Sequence, residues 1–538
     1  MSGRKVSIRD FCRKTGQLVE LDPGRFLPLP EPYDRPEWNA RLKPLSEEAR
    51  KKYEVDLDGV AAVKFPRPQT DAEKQELVEK FLAGLRKLFE KENNWTFMQP
   101  LFLTMEYCAR CQTCASACPI YTESGRLDIY RPTFRSDILR RLYRTYVKSG
   151  GKFTAKLTGH DIEASWEMIA RLMELSYRCT LCRRCAQACP IGVDNGLVTH
   201  ELRKIFSQEM GIAADSLHKL GSVQQLAAGS STGMTTAAFL DNIEFLEGEV
   251  EERTGRRFRW PIDKAGADVL LIHNAGEFLA WPENPEAFAI ILDAAGVSYT
   301  LSSEAVGYDS VNYGVWYDDV QFARVALRHA AIAKKLGVKK IVLGECGHAH
   351  KALTVVADRI FVREYNVPRE SALTFLHQIL VKEKRLALDP SRNDDILTTL
   401  HDPCNVVRLM GIVQPQRELL RAVSNRFREM EPHGVTNYCC GGGSGFAITQ
   451  DLNFPDWRNS LAGRAKLRQI LDVFQDVLDP GHKKYVCAPC SNCKGALRDM
   501  FAAYGLFERC SILYGGLVEL IVNAMADVEK PFLEWEWR

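Results

Sequence analysis

Between Cys108 and Pro119, and again between Cys179 and Pro190, the chain carries the run C-x2-C-x2-C-x3-C-P. Four thiolates at these offsets, gathered by one short turn and released by a proline, make the ligand set of a [4Fe-4S] cluster. In paired runs the fourth cysteine ligates the other cluster. The spacing therefore predicts Cys108, Cys111, Cys114 and Cys189 on one cubane, and Cys179, Cys182, Cys185 and Cys118 on a second. Two structural zinc sites are the competing reading, because C-x2-C pairs also occur in zinc ribbons. Those sites take two pairs separated by a longer loop, so four thiols within eleven residues fit a cluster better. A chain that folds around two such clusters passes electrons.

At 538 residues the chain exceeds what one hydrophobic core normally serves. Its seventeen cysteines are an odd number, and no apolar run follows the polar, basic opening Met1 to Lys5. Reduced thiols kept for metal, a cytoplasmic setting and low oxygen are expected, and a disulfide framework is not. No window reaches the roughly 18 consecutive apolar residues that span a bilayer. A formal charge of +2 gives no field that would gather nucleic acid, and no nucleic-acid partner is expected.

Five segments are expected. Residues 1–95 form a proline-rich arm and a helix, 96–230 a mainly helical di-cluster ferredoxin-like domain, and 231–264 a helical linker ending near Pro261. Pro23, Pro28, Pro30, Pro32 and Pro36 keep Val19 to Asn39 extended, leaning on the chain's own body or on a partner. Thr70-Asp71-Ala72-Glu73 is a capping box, and the apolar spacing after it predicts a helix from Asp71 to Lys91. Ser136 to Lys148 reads as a helix whose Arg140, Arg141, Arg144 and Lys148 form a solvated basic face ahead of a docking patch. Phe239, Leu240, Ile243 and Leu246 predict a further helix within Thr235 to Val250.

Beyond Pro261 the chain repeats itself. Lys339-Lys340-Ile341-Val342 through Cys346 to Leu353 aligns without a gap on Lys483-Lys484-Tyr485-Val486 through Cys490 to Leu497, at an offset of 144. Upstream, Leu271-Ile272-His273 answers Thr399-Leu400-His401 at a shorter offset. Strand-length apolar runs, Asp268 to Ile272 and Ile341 to Leu343, then Ile396 to Leu400 and Tyr485 to Cys487, alternate with helical patterns. The expected fold is α/β, with two homologous halves, 265–390 and 391–538, each built on a parallel sheet with sites at strand carboxyl ends. Cys404, Cys439, Cys440, Cys490 and Cys493 occur in the second half. The first half offers Gly276 opposite Cys404, Ala349 opposite Cys493 and Leu343 opposite Cys487, retaining only Cys346 opposite Cys490. One half can ligate a cluster and the other is a structural half-wall.

His401-Asp402-Pro403-Cys404 with Arg408, then Cys439-Cys440-Gly441-Gly442-Gly443, then Cys490-Ser491-Asn492-Cys493, resembles the cysteine-rich CCG domain of heterodisulfide reductases. With the doubled ferredoxin motif before it, the layout is similar to the catalytic subunit of the membrane-bound enzyme. The proline-rich arm, the degenerate Gly344-Glu345-Cys346-Gly347-His348 segment and the tail with Trp535 and Trp537 look most like the DsrK family. Those proteins are iron-sulfur subunits of the sulfite-reductase-associated respiratory membrane complex. The interval from Cys440 to Cys490 is longer than the family pattern, which places an insertion near Asp479 to Lys483.

The resemblance implies one noncubane [4Fe-4S] cluster held by Cys404, Cys439, Cys440, Cys490 and Cys493, at which a disulfide or trisulfide is reduced or formed. It further implies a heme b integral-membrane partner with other subunits, the sulfur-carrier protein DsrC as substrate, and a peripheral position on the inner face of the cell membrane. Heterodisulfide reduction on small thiol coenzymes, or an iron-sulfur relay for a flavin dehydrogenase, are the other implied activities. The glycines after Cys440 either bring backbone N–H groups to cluster sulfur or make a plain tight turn. His401 and Arg408 are a proton donor and an anion clamp, or packing residues, and His273 at the matching place in the cluster-free half favours packing. His348 and His350 line the approach to the cluster, and Cys12 and Cys510 are bland thiols.

Overall fold

The protein is described by a computed structural model covering residues 5–39, 42–60, 63–361, 365–450, 453–528 and 531–536; Trp537 lies outside them. Two compact units emerge. The first comprises Met1–Ser216, Trp316–Asp319 and Tyr438–Arg468, and the second Leu217–Val315, Val320–Asn437 and Gln469–Arg538.

Helices build the first unit: α1 (Asp71–Leu88), α2 (Met98–Tyr107), α3 (Pro132–Leu142), α4 (Trp166–Tyr177) and α5 (Asn195–Gln208). Thr70 and Glu73 close the expected capping box at the start of α1, and Ser165 and Asp194 cap α4 and α5 with side-chain oxygens. Helix α1 stops at Leu88, short of Lys91, because the Asn94 amide donates to the Leu88 carbonyl and a separate turn, Lys91–Asn94, begins. Helices α4 and α5 are buried nearly all round and form the centre of the unit. Among their apolar residues sits Arg178, bonded to Asp58 and Glu174 and lying 4.8 Å from the Trp457 ring.

The basic face expected on 136–148 is corrected. Helix α3 ends at Leu142 and passes into a π turn, Tyr143–Val147. Arg140 points inward and donates to the Met105 and Cys108 carbonyls, Arg141 pairs with Asp137 at 3.3 Å, and Arg144 pairs with Glu106 at 3.3 Å. Backbone oxygens and carboxylates hold these cations, and Lys148 alone of the four is exposed. The arm leans on its own unit: Val19, Leu21, Phe26, Leu29, Tyr33 and Trp38 are buried, and Arg464 and Arg468 donate to the Leu27 and Pro28 carbonyls.

The second unit contains both sheets. Strands β1 (Val269–Ile272), β2 (Tyr299–Thr300), β3 (Lys340–Leu343) and β4 (Arg369–Ser371) form a parallel sheet in the order β2-β1-β3-β4. Strands β5 (Ile396–Leu400), β6 (Phe427–Arg428), β7 (Lys483–Cys487) and β8 (Ile512–Gly515) form another in the order β6-β5-β7-β8. The central pairs are covered on both faces, which accounts for their near-continuous apolar runs.

Ladder register reproduces the repeat independently of residue identity. Val269 pairs with Lys340 and Ile272 with Leu343 in the first sheet, and Leu397 pairs with Lys484 and Leu400 with Cys487 in the second. The offsets of 128 and 144 residues are therefore one structural alignment. Cys487 ends β7 as Leu343 ends β3, and both side chains are core residues. The expected insertion region is an exposed turn before β7, in which Asp479 accepts from the Gly481 amide. Trp535 is packed down in this unit, donating to the Ser511 hydroxyl at 2.9 Å.

Candidate metal centres

Both ferredoxin-like motifs adopt the same backbone. Cys108 follows α2 and Cys179 follows Arg178 at the end of α4. Two and four residues beyond each of these cysteines the chain turns left-handed, at Arg110 (φ 56°) and Gln112 (φ 65°), and at Leu181 (φ 51°) and Arg183 (φ 60°). A short helix carrying the third cysteine follows in each case, Thr113–Ala117 and Arg184–Gln187. Alternation of right- and left-handed residues turns successive amides to one side, the backbone concavity that suits anions such as sulfide. Left-handed non-glycine residues are strained by on the order of 1 kcal/mol or more. No glycine marks these positions, which is why the sequence did not reveal them.

Cysteine sulfurs of the two motifs lie close enough to act on one another. Burial pushes the Cys114 thiol up to about 11, reinforced by Cys108, Cys189, Cys118 and Cys111. Cys118 is pushed up to about 12 by burial, and the thiols that add to this are Cys182 and Cys179. Burial likewise drives Cys185 well above its ordinary range, followed by Asp194, Cys182, Cys179 and Cys118. Clustered, desolvated sulfurs that resist ionising one by one fit a group that brings its own positive charge, as iron does.

Near these cysteines lie two buried guanidiniums. Arg203 donates to the Ser176 carbonyl at 2.9 Å and the Cys179 carbonyl at 3.0 Å, and also bonds the Ser444 hydroxyl. Arg135 donates to Thr199 at 2.9 Å. No carboxylate forms an ion pair with either among the described residues. Both went unnoticed in the sequence, because arginine is ordinarily a surface residue.

The paired cysteines Cys439 and Cys440 belong to the first unit and are buried. Gly441 and Gly442 turn their amides to the sulfurs of Cys439 and Cys440, each at 3.4 Å. A Cβ on Gly441 would stand 2.7 Å from the Gly463 nitrogen, and one on Gly443 2.5 Å from the Thr180 carbonyl oxygen. The glycine run thus serves sulfur bonding and close packing together.

Cys404, Cys490 and Cys493 belong to the second unit. Cys404 opens the helix Cys404–Leu409 after β5, and Cys490 caps Ser491–Tyr504 after β7, with Cys493 in its first turn. Paired strands β5 and β7 therefore deliver their cysteines to the same sheet edge. Cys346 holds the equivalent position after β3. The Gly347 amide donates to the Cys490 sulfur at 3.3 Å, and a Cβ on Gly347 would meet that sulfur at 3.2 Å and Pro403 at 3.4 Å. Burial, then Cys490, pushes the Cys346 thiol up to about 12.

Asp402 is a structural anchor. Arg417 grips both its oxygens, at 2.8 and 2.7 Å, and the Gly434 amide and Gln416 add two further bonds at 2.6 Å. Arg408 donates to the Val435 carbonyl at 2.7 Å and to that of Asn437, so it holds the strand of chain entering Cys439. His401 is buried, as is His273 at the matching place. The His350 ring bridges the Cys346 carbonyl and the Ser371 hydroxyl, and the His348 ring meets the Asn312 backbone. Burial pushes both down, to about 4 and about 3, so they are neutral loop fasteners and do not line an approach. Behind Cys490 lies a buried charge cluster the sequence did not signal: Lys494 is 3.5 Å from Glu277, Ser491 donates to Glu277 at 2.7 Å, and burial raises Glu345 to about 7.

Residues 104–193 match the 4Fe-4S dicluster domain, and residues 398–498 match the CCG cysteine-rich domain. This is an iron-sulfur protein. The Hdr-like menaquinol oxidoreductase iron-sulfur subunit 2 of Archaeoglobus fulgidus is 27% identical, across 92% of this chain and 94% of its own length. Its counterpart from Archaeoglobus profundus is 27% identical across 79% and 81%. A component of the dihydromethanophenazine:CoB–CoM heterodisulfide reductase of Methanosarcina acetivorans is 25% identical across 74% and 89%. The ferredoxin-like region and the two parallel-sheet halves agree with the fold expected from the sequence. Among the described residues no helix is long and apolar enough to cross a membrane.

Proposed function

We propose that this chain is the oxidoreductase subunit of a membrane-associated respiratory complex of the DsrK type, exchanging electrons between a quinol-linked heme b partner and a disulfide. The observation that carries the reading is the matching left-handed turns of the two cysteine motifs, one of which, at Cys179, Arg203 ties to the Cys439-Cys440 loop through Ser444. Cys108, Cys111, Cys114 and Cys189 would hold one cubane, Cys179, Cys182, Cys185 and Cys118 the other, and Cys404, Cys439, Cys440, Cys490 and Cys493 a noncubane centre.

When bound, the clusters supply one-electron steps and an iron site that captures sulfur. Everything else is the work of the chain. Amides of Gly441 and Gly442 support cysteine sulfur, and the left-handed turns would offer further amides to the cubanes that the motif cysteines would hold. Cleaving a disulfide takes two electrons and two protons and yields two thiols. The electrons come from the quinol-linked partner, and the substrate in this reading is the terminal disulfide of DsrC, or its trisulfide, which takes four electrons and four protons and yields two thiols and hydrogen sulfide. In the opposite direction the same bond is made and the electrons leave.

The test is electron paramagnetic resonance and an iron count on anaerobically purified, oxidised protein, with and without DsrC. About twelve irons and an oxidised-state signal that changes on adding DsrC support the proposal. About eight irons, with signals only on reduction, would make the chain a relay. A signal that responds to small thiol coenzymes and ignores DsrC would make it a heterodisulfide reductase.

A further inference from the structure

The helix Gly151–Leu157 turns its apolar side chains outward. Phe153 is 73% exposed and Leu157 72%, whereas the residues buried beneath them are Gly151 and Ala155. A helix on a protein surface normally does the reverse. Gly151 accounts for the inversion, because a Cβ there would lie 2.3 Å from the Arg144 carbonyl oxygen. The helix rides directly on the backbone of the preceding π turn and has no room for a large side chain on its inner side.

Beside this helix runs an open groove of about 690 Å³, lined by Val78, Leu82, Arg86, Tyr146, Lys152 and Phe153 among others. Its lining is mixed, apolar and aromatic at Val78, Leu82, Tyr146 and Phe153, polar at Gln75 and Thr145, and cationic at Arg86 and Lys152. One side of the groove is basic: from Ile138 to His160 there are six Lys and Arg residues and no Asp or Glu, whereas the α1 side carries Glu76 and Glu79. Arg140, Arg141 and Arg144 are held by internal partners, as described above. Lys148, Lys152, Lys156 and, on α1, Arg86 are exposed and form no ion pair among the described residues. The Lys152 ammonium lies over the Tyr146 ring at 5.5 Å, and both residues line the groove.

We propose that this groove and helix are a binding site for anionic phospholipid at a bilayer surface. Phe153 and Leu157 enter among the acyl chains, Arg86 and Lys152 take the phosphate, and Lys148 and Lys156 flank it. Basic clusters with projecting apolar side chains are attracted to anionic headgroups and lie in the interface plane. A protein partner fits less well on two counts. Two side chains on a seven-residue helix offer far less than the roughly 800 Å² per partner that a stable interface buries. Loops of integral membrane proteins on the cytoplasmic side are themselves rich in Lys and Arg, and would repel this face. The contact adds to whatever other subunits provide, and fixes which side of the first unit meets the membrane.

The experiment is anaerobic co-sedimentation of the full-length protein with vesicles of phosphatidylcholine alone, and of phosphatidylcholine containing phosphatidylglycerol. Binding is expected only to the anionic vesicles, and is weakened by raised salt. The double substitution Phe153→Ser, Leu157→Ser, and separately Lys152→Glu, should each lower the affinity about tenfold or more. The visible iron-sulfur absorbance should be unchanged in both, which shows that the fold is intact. Equal binding to both vesicle types, no binding to the anionic ones, or affinity indifferent to the substitutions would overturn the proposal. Loss of co-purifying subunits with vesicle binding retained would also overturn it, and would make this face a protein interface.

Discussion

Arg203 donates to the Cys179 carbonyl at 3.0 Å from a fully buried position. A guanidinium stays protonated, so a fixed positive charge stands beside Cys179, with no acid paired to it among the described residues. Replacing it by Gln should lower the reduction potential of the adjacent centre by on the order of 50–100 mV, the Coulomb effect of one charge several ångströms away at protein-like screening. Lys at this position should restore most of the shift. A redox titration followed by electron paramagnetic resonance reads it directly, and an unchanged potential would remove Arg203 from this role.

Cys487 and Cys490 form a C-x2-C pair, yet they occupy different environments. Cys487 ends β7 within the core, and Cys490 caps the next helix and accepts from the Gly347 amide. Cys487→Ala should cost about 1 kcal/mol from lost packing and leave iron content unchanged. Cys404→Ala, Cys439→Ala or Cys490→Ala should keep about eight irons while abolishing disulfide reduction. Loss of the third centre in Cys487→Ala would show that the repeat alignment misassigns the ligands.

Asp402 precedes Cys404 by two residues and is gripped by Arg417 on both oxygens. Asp402→Ala leaves that buried guanidinium without one of its acids and frees the Gly434 turn. A loss of about 3–5 kcal/mol is expected. Thermal unfolding should show it, with the noncubane signal lost before the cubane signals as temperature rises.

Burial raises the Glu286 carboxyl to about 7, against the pull of Arg253 at 3.3 Å. In the unfolded chain this group titrates near 4.5. Between those values the folded protein holds a proton that the unfolded chain has released, so stability falls as pH rises from about 4.5 to about 7 and then levels. Glu286→Gln should remove this part of the decline, on the order of 3 kcal/mol. Melting temperatures of both proteins at pH 5.5 and pH 8 test it, and parallel declines would contradict the prediction.

What the sequence disclosed and what it withheld divide along physical lines. Strands β5 and β7 could be read because apolar and β-branched residues dominate them, and the repeat offsets correspond to ladder register. Eight cysteines at ligand spacing were visible because metal ligation dictates residue type and interval. Arg140 and Arg203 were not: arginine's long stem lets it reach buried carbonyls from positions that pattern alone assigns to the surface. The left-handed residues Arg110, Gln112, Leu181 and Arg183 left no trace either, since their strain is offset by contacts of the whole unit and not by a glycine. His348 and His350 looked like an entrance, and their ring partners make them fasteners.

The chain composition of the two units carries a practical consequence. Between its first and third strands each half of the duplicated region contributes a segment to the first unit, Trp316–Asp319 from one and Tyr438–Arg468 from the other. Only the second of these segments carries cysteines, Cys439 and Cys440. Neither unit is a continuous stretch of polypeptide. A clone ending after the ferredoxin-like residues would lack the buried Trp457 that Arg178 rests on and the Ser444 that Arg203 holds, so truncation cannot yield an intact first unit.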